Sequence, residues 1–563
     1  MQKWKVVGGE ATGGLLCRAG EGLKSSELKE RLATGSTIEE LQLVGKRLNF
    51  KLSEGSGPAE GWISIEIKGK ELVTRVPTFS EDSVLEIVPL DTPPDLDLGP
   101  AIPPAERPFD IVIYGATGFT GSLAALHLDA LIGMPGATKH KWAIAGRNED
   151  KLRELKKQCK TDVEVIVASS EKDVHDMVNK CRVIVSCVGP HARWGEPVIR
   201  ACVAFGTHYT DSSGESWWLK RMIARYDAEA RKRGVILVPL CGTQAVVADI
   251  GVHMLATNFA PLRKVRAYVI SFAFTTGGTD YNGRYTMQTI AKYPEVLADV
   301  NDPFSLGGMR KGGAKPEDED CAKAEKDDVY ENLWLGALGC AAADTRCVRR
   351  SCHLFEEGRT GRELKYGDDL SIVWRDVALN KGAAERCCQT SGPLPSASVA
   401  VDALSAMKSG LESGMTPPRG QGSSKEVREG NWTYYFMVAE GENDEFATCH
   451  CQIGENYEVT GMTTVTGALV LLEEQDKVKA NELGGLTTPA FAFAETTFTK
   501  RLMQYRWALQ PKGAGVEWRF QKGKPDKAEI LKVVMDKTKA FTSLTQTAAK
   551  AGTKLYDVPD YSK

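Results

Sequence analysis

At 563 residues the chain exceeds what one ordinary hydrophobic core sustains, so two or three domains are expected. Its 42% hydrophobic and 26% charged shares are those of a globular protein. A formal net charge of -3 argues against a nucleic-acid partner, which calls for a basic surface.

The 14 cysteines are scattered without C-x-x-C pairs and read as reduced thiols, because a chain this long builds its core without disulfides. Met1 to Val7 contains no apolar signal core. The most apolar run, Gly461 to Leu472, falls short of the roughly 18 residues a membrane helix needs and reads as a buried core element. These features predict an intracellular soluble protein, cytoplasmic by default with no organelle assigned, and no transmembrane segment.

Residues 1–88 read as short strands between glycine turns, among them Trp4–Val7, Gly14–Cys17, Leu48–Leu52 and Trp62–Ile67. They predict a small β-barrel, SH3-like, of the kind that docks a protein partner. Trp4 and Trp62 suit either a peptide groove or the barrel core. The proline- and aspartate-rich stretch 89–107 reads as a semi-rigid linker. From 108 to 262 strands and helices alternate, with strands at Asp110–Tyr114, Lys141–Ala145, Val163–Val167, Arg182–Ser186, His208–Thr210 and Val235–Val238. That order predicts an α/β fold, a Rossmann-type doubly wound parallel sheet. Residues 263–483 read as a second, α+β domain for substrate binding and dimerisation, with surface loops at Gly307–Asp328, Asn380–Ser398 and Ser409–Lys425. In the tail, 525–563, Ile530, Val533, Val534, Phe541 and Leu544 predict an amphipathic helix that packs back on the protein, lysines outward.

The chemistry begins at Gly115-Ala116-Thr117-Gly118-Phe119-Thr120-Gly121, directly between the first strand of this series and a helical pattern. Glycines there let the backbone turn tightly against a pyrophosphate, and the new helix offers unpaired N–H groups and a positive dipole end. The spacing is G-x-x-G-x-x-G, and its position makes it a dinucleotide site. The second strand ends in Arg147 where an acid would hold a ribose hydroxyl, and a planar guanidinium suits a 2′-phosphate, so NADP(H) is the expected cofactor. A solvated surface arginine is the alternative. Asn148 reads as a helix cap with Glu149 and Asp150 in the first turn. Val188 and Gly189 end the fourth strand, where such a sheet passes its cofactor.

These segments resemble the saccharopine dehydrogenase-like oxidoreductases, in particular the branch with trans-acting enoyl reductases. The stretches that carry the resemblance are GATGFTG after Tyr114, AGR at Ala145–Arg147, CVGP at Cys187–Pro190, GEPVIRAC at Gly195–Cys202, HYTDSSGE at His208–Glu215 and ADIG at Ala248–Gly251. Further on, FTTGGT at Phe274–Thr279, CVRRS at Cys347–Ser351, LKYGDDL at Leu364–Leu370 and GGLTTPAFAFAE at Gly484–Glu495 extend it to about residue 510. The resemblance implies that Gly115 to Gly121, Arg147, Val188 and Gly189 belong to the dinucleotide site. It also implies that 484–524 returns to the first domain, and that the protein forms a homodimer. One segment departs: relatives carry G-F-D-S-x-P where this chain reads Cys241-Gly242-Thr243-Gln244-Ala245-Val246-Val247, without the acid, serine and proline.

The candidate catalytic residues lie at C-terminal strand ends: Asp211 and Glu215 for acid–base work, His191 for its titration range, Arg193 for a carboxylate or the cofactor phosphates. A helix-capping Asp211, a structural His191 and a surface Arg193 are the plain alternatives, and Tyr209 is a weaker proton donor that also suits burial in the sheet. Cys449-His450-Cys451 would split across the two faces of a strand and predicts no metal site. Adjacent Cys387 and Cys388, placed in a loop, raise a redox role or idle thiols. The expected activity is NADPH-dependent hydride transfer to an activated C=C (enoyl) or C=N bond of a small-molecule or lipid-like substrate. The alternative is a catalytically weak NADP(H)-binding scaffold or redox sensor docking through residues 1–88.

Overall fold

Short strands with alternating burial build the first of two units, Met1–Leu85, in the computed structural model. The structure describes residues 3–67, 70–75, 84–271, 275–310, 312–331, 333–358, 364, 366–412, 416–478, 484–509, 515–550 and 556–557. The first unit is built on a seven-stranded antiparallel sheet, with Glu27–Leu32, Leu15–Arg18, Glu60–Ser64, Arg47–Glu54, Thr37–Val44, Lys3–Val6 and Val73–Arg75 side by side in that order, and has a second, two-stranded ribbon of Glu66–Ile67 with Lys70–Glu71. Its core gathers Trp4, Val6, Leu15, Leu32, Ile38, Leu48, Phe50 and Ile63. Three of these strands, Glu27–Leu32, Thr37–Val44 and Val73–Arg75, escape the sequence reading, the first two for a physical reason. Glu27–Leu32 is an edge strand with only Leu32 buried, and Thr37–Val44 carries charges mid-strand, so neither shows clean alternation. Trp4 is a core residue, its indole donating to Glu40 Oε2 at 2.9 Å, whereas Trp62 is half-buried.

Elements of the second unit, Glu86–Lys563, are numbered from its start. Six strands come first: β1 (Phe109–Tyr114), β2 (Trp142–Gly146), β3 (Glu164–Val167), β4 (Cys181–Ser186), β5 (His208–Asp211) and β6 (Ile236–Val238); β1, β2, β4 and β6 are largely apolar and buried, β5 is buried but polar, and β3 is an edge strand with Glu164 and Val167 exposed. Then follow β7 (Leu262–Ile270), β8 (Glu325–Lys326), β9 (Trp334–Gly336), β10 (Ser371–Ala378), β11 (Thr433–Gly441), β12 (Phe446–Ile453), β13 (Gly485–Leu486) and β14 (Val516–Lys522). The helices used below are α1 (Phe119–Gly133), α2 (Glu149–Gln158), α3 (His191–Trp194), α4 (Thr243–Phe259), α5 (Gly277–Lys292), α6 (Ala341–Glu356), α7 (Lys381–Ser391), α8 (Asn456–Glu473) and α9 (Lys527–Lys550).

The first sheet runs β3-β2-β1-β4-β5-β6-β13, every pairing parallel, so the strand order reverses between β1 and β4. That reversal opens a crevice at the C-terminal strand ends, beside the glycine heptad. The second sheet runs β8-β9-β10-β7-β11-β12-β14, antiparallel except for β7 with β10. The stretch 484–524 therefore divides: Gly485–Leu486 extends the first sheet, and Val516–Lys522 closes the second.

Helix α8 carries the apolar run Gly461 to Leu472, buried nearly all round. It crosses α1 at Gly461, where a Cβ would sit 2.8 Å from Ala124 N, so only glycine allows the approach. The stretch 89–107 lies along the parallel-sheet part instead of spacing it: Leu96 and Leu98 pack on its core, and buried Arg107 donates to Cys181 O at 2.8 Å and Thr207 Oγ1 at 2.9 Å.

Asn380–Ser398 is not a surface loop. It contains α7, whose polar, alanine-rich sequence hides its periodicity, although Asn380 Oδ1 caps it by accepting from Ala383 N at 3.0 Å. In α9, Ile530 and Val534 pack under Tyr268 and Phe436, as an amphipathic tail should, while Leu544 lies outside the residues whose side chains are described. Lys537 departs from the outward pattern: it is buried and donates to Asn431 Oδ1 at 2.5 Å and to Trp432 O. Among the described residues no helix is long and apolar enough to cross a membrane.

Candidate functional site

The heptad turns out of β1 with Gly115 at φ 83°, a conformation that penalises any side chain. A Cβ on Gly115 would also sit 2.8 Å from Cys187 C and O, so the turn presses against the exit of β4. Gly121, in the first turn of α1, is tighter: its Cβ would lie 2.2 Å from Gly115 O. Gly118 N donates to Gly115 O at 3.0 Å and Gly118 precedes α1 as N-cap, with no side chain covering the helix end. At Gly189 a Cβ would meet no atom within 4 Å. The backbone thus forms a cradle at the reversal point, with a helix N-terminus aimed into it.

Two heptad side chains face elsewhere. Ala116 is core, and Phe119 is buried edge-on against Tyr457 (centroids 5.8 Å, 87°) with Arg428 Cζ 5.5 Å from its ring centroid. Both contribute backbone, not side chain, to the loop. Thr117 and Thr120 are half-buried, and Thr117 Oγ1 lies 3.6 Å from where a Gly146 Cβ would be, at the end of β2.

Arg147 follows that strand end, exposed, with Cζ 5.2 Å from the Trp194 ring centroid. The rival acids Glu149 and Asp150 lie in the first turn of α2 as the cap reading requires: Asn148 Oδ1 accepts from Lys151 N at 2.9 Å, and Glu149 pairs with Arg153. Arg147 is therefore the group with formal charge that immediately ends β2. Val188 and Gly189 are half-buried along the opposite lip.

His191, Arg193 and Trp194 sit on α3, a single helical turn rather than a loop. His191 is 4% exposed; its backbone N donates to Glu215 Oε1 at 2.8 Å. Its ring lies between two carboxylates, Nε2 3.9 Å from Asp211 Oδ2 and Nδ1 3.9 Å from Glu215 Oε2. Glu215 also accepts from Gly214 N at 2.9 Å. Arg193, at 2% exposure, is no surface arginine: its Cζ lies 4.8 Å from the Trp194 centroid and 5.5 Å from that of Tyr285 on α5, so it reaches across to the second domain.

Asp211 is fully committed. Oδ1 accepts from Ser213 N (2.8 Å), Ser213 Oγ (2.7 Å) and Leu240 N (3.0 Å), and Oδ2 accepts from Tyr209 Oη at 2.6 Å. It holds Leu240, a non-glycine residue at φ 57°, in place. Burial, with that carboxylate alongside, pushes the Tyr209 phenol well above its ordinary value, so it is a poor proton donor. The departing loop after Cys241 begins α4 and is closed against α8: Thr243 N donates to Thr460 Oγ1 at 3.1 Å and Thr463 Oγ1 to Cys241 O at 2.7 Å.

Three of the resembling motifs meet in one buried knot that sequence reading left unconnected. Ser351 Oγ donates to Asp249 Oδ1 at 2.5 Å and contacts Thr488 Oγ1 at 2.5 Å, and Ala490 N donates to Asp249 Oδ2 at 2.7 Å. These residues come from ADIG, CVRRS and GGLTTPAFAFAE, which thereby fasten α4, α6 and the β13 segment together. Phe274 and Lys365, from the other two late motifs, lie outside the described residues. Burial pushes the Asp249 carboxyl up to about 7. The folded protein then holds a proton that the unfolded chain has released, so this contribution to stability is full below the ordinary aspartate value and is lost as pH rises through about 7. Denaturant unfolding from pH 5 to 7 checks this: Asp249→Asn should remove up to about 1.4 kcal/mol of stability change per pH unit. An unchanged slope would show that Asp249 ionises normally.

Cys449 and Cys451 share the core-facing side of β12 while His450 packs against Phe436 on the other, as strand geometry requires. No group of three metal-ligating side chains occurs among the described residues, and all 14 cysteines are free thiols.

Residues 111–238 match the family model described as the saccharopine dehydrogenase NADP binding domain. The trans-acting enoyl reductase of Mycobacterium tuberculosis (strain ATCC 25618 / H37Rv) is 28% identical over 416 residues, covering 70% of this chain and 96% of that protein. The trans-acting enoyl reductase of Mycobacterium leprae (strain TN) is 26% identical over 426 residues, with the same two shares, 70% and 96%. Among solved structures, apo saccharopine dehydrogenase (L-Glu forming) from Saccharomyces cerevisiae covers 73% of this chain and 100% of its own, at 10% identity and a TM-score of 0.39. By the family-model match, residues 111–238 are an NADP(H)-binding domain of the saccharopine dehydrogenase type.

Proposed function

We propose that this saccharopine dehydrogenase-like oxidoreductase uses NADPH to reduce an activated C=C (enoyl) bond, or a C=N bond, of a small-molecule or lipid-like substrate. The observation that carries the proposal is the cradle in which Gly115 and Gly121 leave no room for a Cβ, opening beside Arg147. Residues 115–121 would hold the pyrophosphate through backbone N–H groups and the α1 terminus, Arg147 the 2′-phosphate, and Val188 and Gly189 the path towards the nicotinamide. The cofactor, when bound, supplies the hydride. Enoyl chemistry is proposed because the relatives matching 70% of the chain carry that name.

The chain's own contribution is a polar wall. Glu215, fixed by the His191 and Gly214 N–H groups, orients the His191 ring, and His191 is the side chain placed to pass a proton near β4 and β5. Asp211 acts through others: saturated with donors, it positions Tyr209, Ser213 and Leu240 instead of touching substrate. Arg193, stacked between Trp194 and Tyr285, positions α3 against α5.

NADPH oxidation measured against a panel of enoyl thioesters and imines tests the proposal. Turnover with at least one acceptor is expected, with His191→Gln lowering kcat about 100-fold at unchanged NADPH affinity. No turnover across the panel, with NADPH bound, would favour a second reading. That reading, a cofactor-binding scaffold, is supported by the separate unit Met1–Leu85 with its own core, an SH3-like docking module under this view. Partner capture lost on deleting residues 1–88, with NADPH binding retained, is its signature.

A further inference from the structure

The adjacent cysteines of α7 point to different partners. Cys387 Sγ donates to Asp376 Oδ2 at 3.6 Å, while Cys388 Sγ lies 3.8 Å from Cys321 Sγ, 67 residues earlier in the segment that leads into β8. The backbones converge as well. Gly392 N donates to Cys388 O at 3.0 Å, and a Cβ on Gly392 would sit 3.1 Å from Cys321 O. Helix α7 is itself pressed onto β9, where a Gly336 Cβ would lie 2.8 Å from Cys387 Cβ. The Cys388 thiol is therefore held against Cys321 rather than sampling it from a loose loop. The two sulfurs are already in van der Waals contact, and a disulfide would close them to roughly 2.05 Å.

We propose that Cys321 and Cys388 form an oxidisable pair that closes to a disulfide when the protein meets hydrogen peroxide. Cys388, half-buried and reachable, attacks the peroxide as its thiolate; the O–O bond breaks, giving a sulfenic acid and one water once a proton is taken up. The Cys321 sulfur then attacks Cys388 Sγ, the S–O bond breaks, and a second water leaves with the Cys321 proton. Two thiols are oxidised by two electrons and one peroxide is reduced to two waters. The order of events follows from burial, which pushes the Cys321 thiol up to about 12 and keeps it from being the first nucleophile. The bond would tie the segment before β8 to α7, and that segment carries Asp320, the partner of buried Arg346 on α6 at 2.8 Å.

The test uses the full chain, fully reduced and then exposed to hydrogen peroxide, with free thiols blocked by N-ethylmaleimide in denaturant before digestion and mass spectrometry. Loss of two of the 14 alkylatable thiols, a linked Cys321–Cys388 peptide pair and reversal by dithiothreitol are expected. Cys387→Ser should keep the linked pair and Cys388→Ser should abolish it. A Cys387–Cys388 link, a link between two chains, a sulfinic acid on Cys388 without ring closure, or 14 thiols still alkylated would each overturn the proposal.

Discussion

A Gly121→Val chain should lose NADP(H) binding by more than about 100-fold, while Gly133→Ala at the far end of the same helix leaves it unchanged. The contrast rests on what the added carbons meet. At Gly121 the nearest atom is the Gly115 carbonyl oxygen, 2.2 Å from the Cβ, with Gly115 C at 2.8 Å and Ala116 Cα at 2.9 Å. All three are backbone atoms of the turn itself, so relief requires lifting α1 off the loop and withdrawing the N–H groups from the phosphate position. At Gly133 the nearest atom is Thr161 Cγ2 at 3.5 Å, ordinary contact. The affinity loss corresponds to about 2.7 kcal/mol or more, the scale of losing several charge-assisted hydrogen bonds together. Fluorescence titration with NADPH reads the binding, and far-UV circular dichroism confirms that the variant folds. A folded Gly121→Val chain with unaltered affinity would remove the loop from the cofactor site.

The second large effect concerns the choice of cofactor. Arg147→Ala should weaken NADPH by about 10- to 100-fold and leave NADH within a factor of about three, because a bidentate guanidinium–phosphate contact is worth about 1.5–3 kcal/mol. Arg147→Lys should recover part of that loss, keeping the charge without the planar fork. Trp194, 5.2 Å from the Arg147 guanidinium, limits the wandering of that side chain, so Trp194→Ala should reproduce a fraction of the defect. Parallel losses for NADPH and NADH would place Arg147 on a shared part of the cofactor. No loss for either would return it to the surface role that its exposure also suits.

The parallel sheet was legible because most of its strands are written as buried apolar runs, and the six from Phe109 to Val238 lie within a residue or two of their expected spans. The glycine heptad was legible because close backbone approach excludes every other residue type. Helix α7 was not, since its burial is confined to Ala384 and its stability comes from an Asn380 cap and contacts remote in sequence. The site shows the same divide. Sequence position alone brought His191, Arg193, Asp211 and Glu215 to the strand ends, but could not say that Asp211 spends its oxygens on Tyr209, Ser213 and Leu240. Nor could it reveal that the motifs at Asp249, Ser351 and Thr488 form one knot, since partners 102 and 137 residues apart carry no local pattern. The outward lysines expected of the tail failed at Lys537 because a backbone carbonyl and the Asn431 amide oxygen await it there.

The central claim, that this chain moves hydride from NADPH to an activated double bond, is tested most directly by tracing the hydrogen itself. The full chain is given NADPH carrying deuterium at both nicotinamide C4 positions, together with enoyl thioesters of increasing acyl length, or cyclic imines. Product formation is followed by mass spectrometry with NADPH binding measured in the same samples. The account predicts a reduced product one deuterium heavier from at least one acceptor, its yield falling with Gly121→Val and His191→Gln. Saturated NADPH binding with no deuterated product from any acceptor would contradict it.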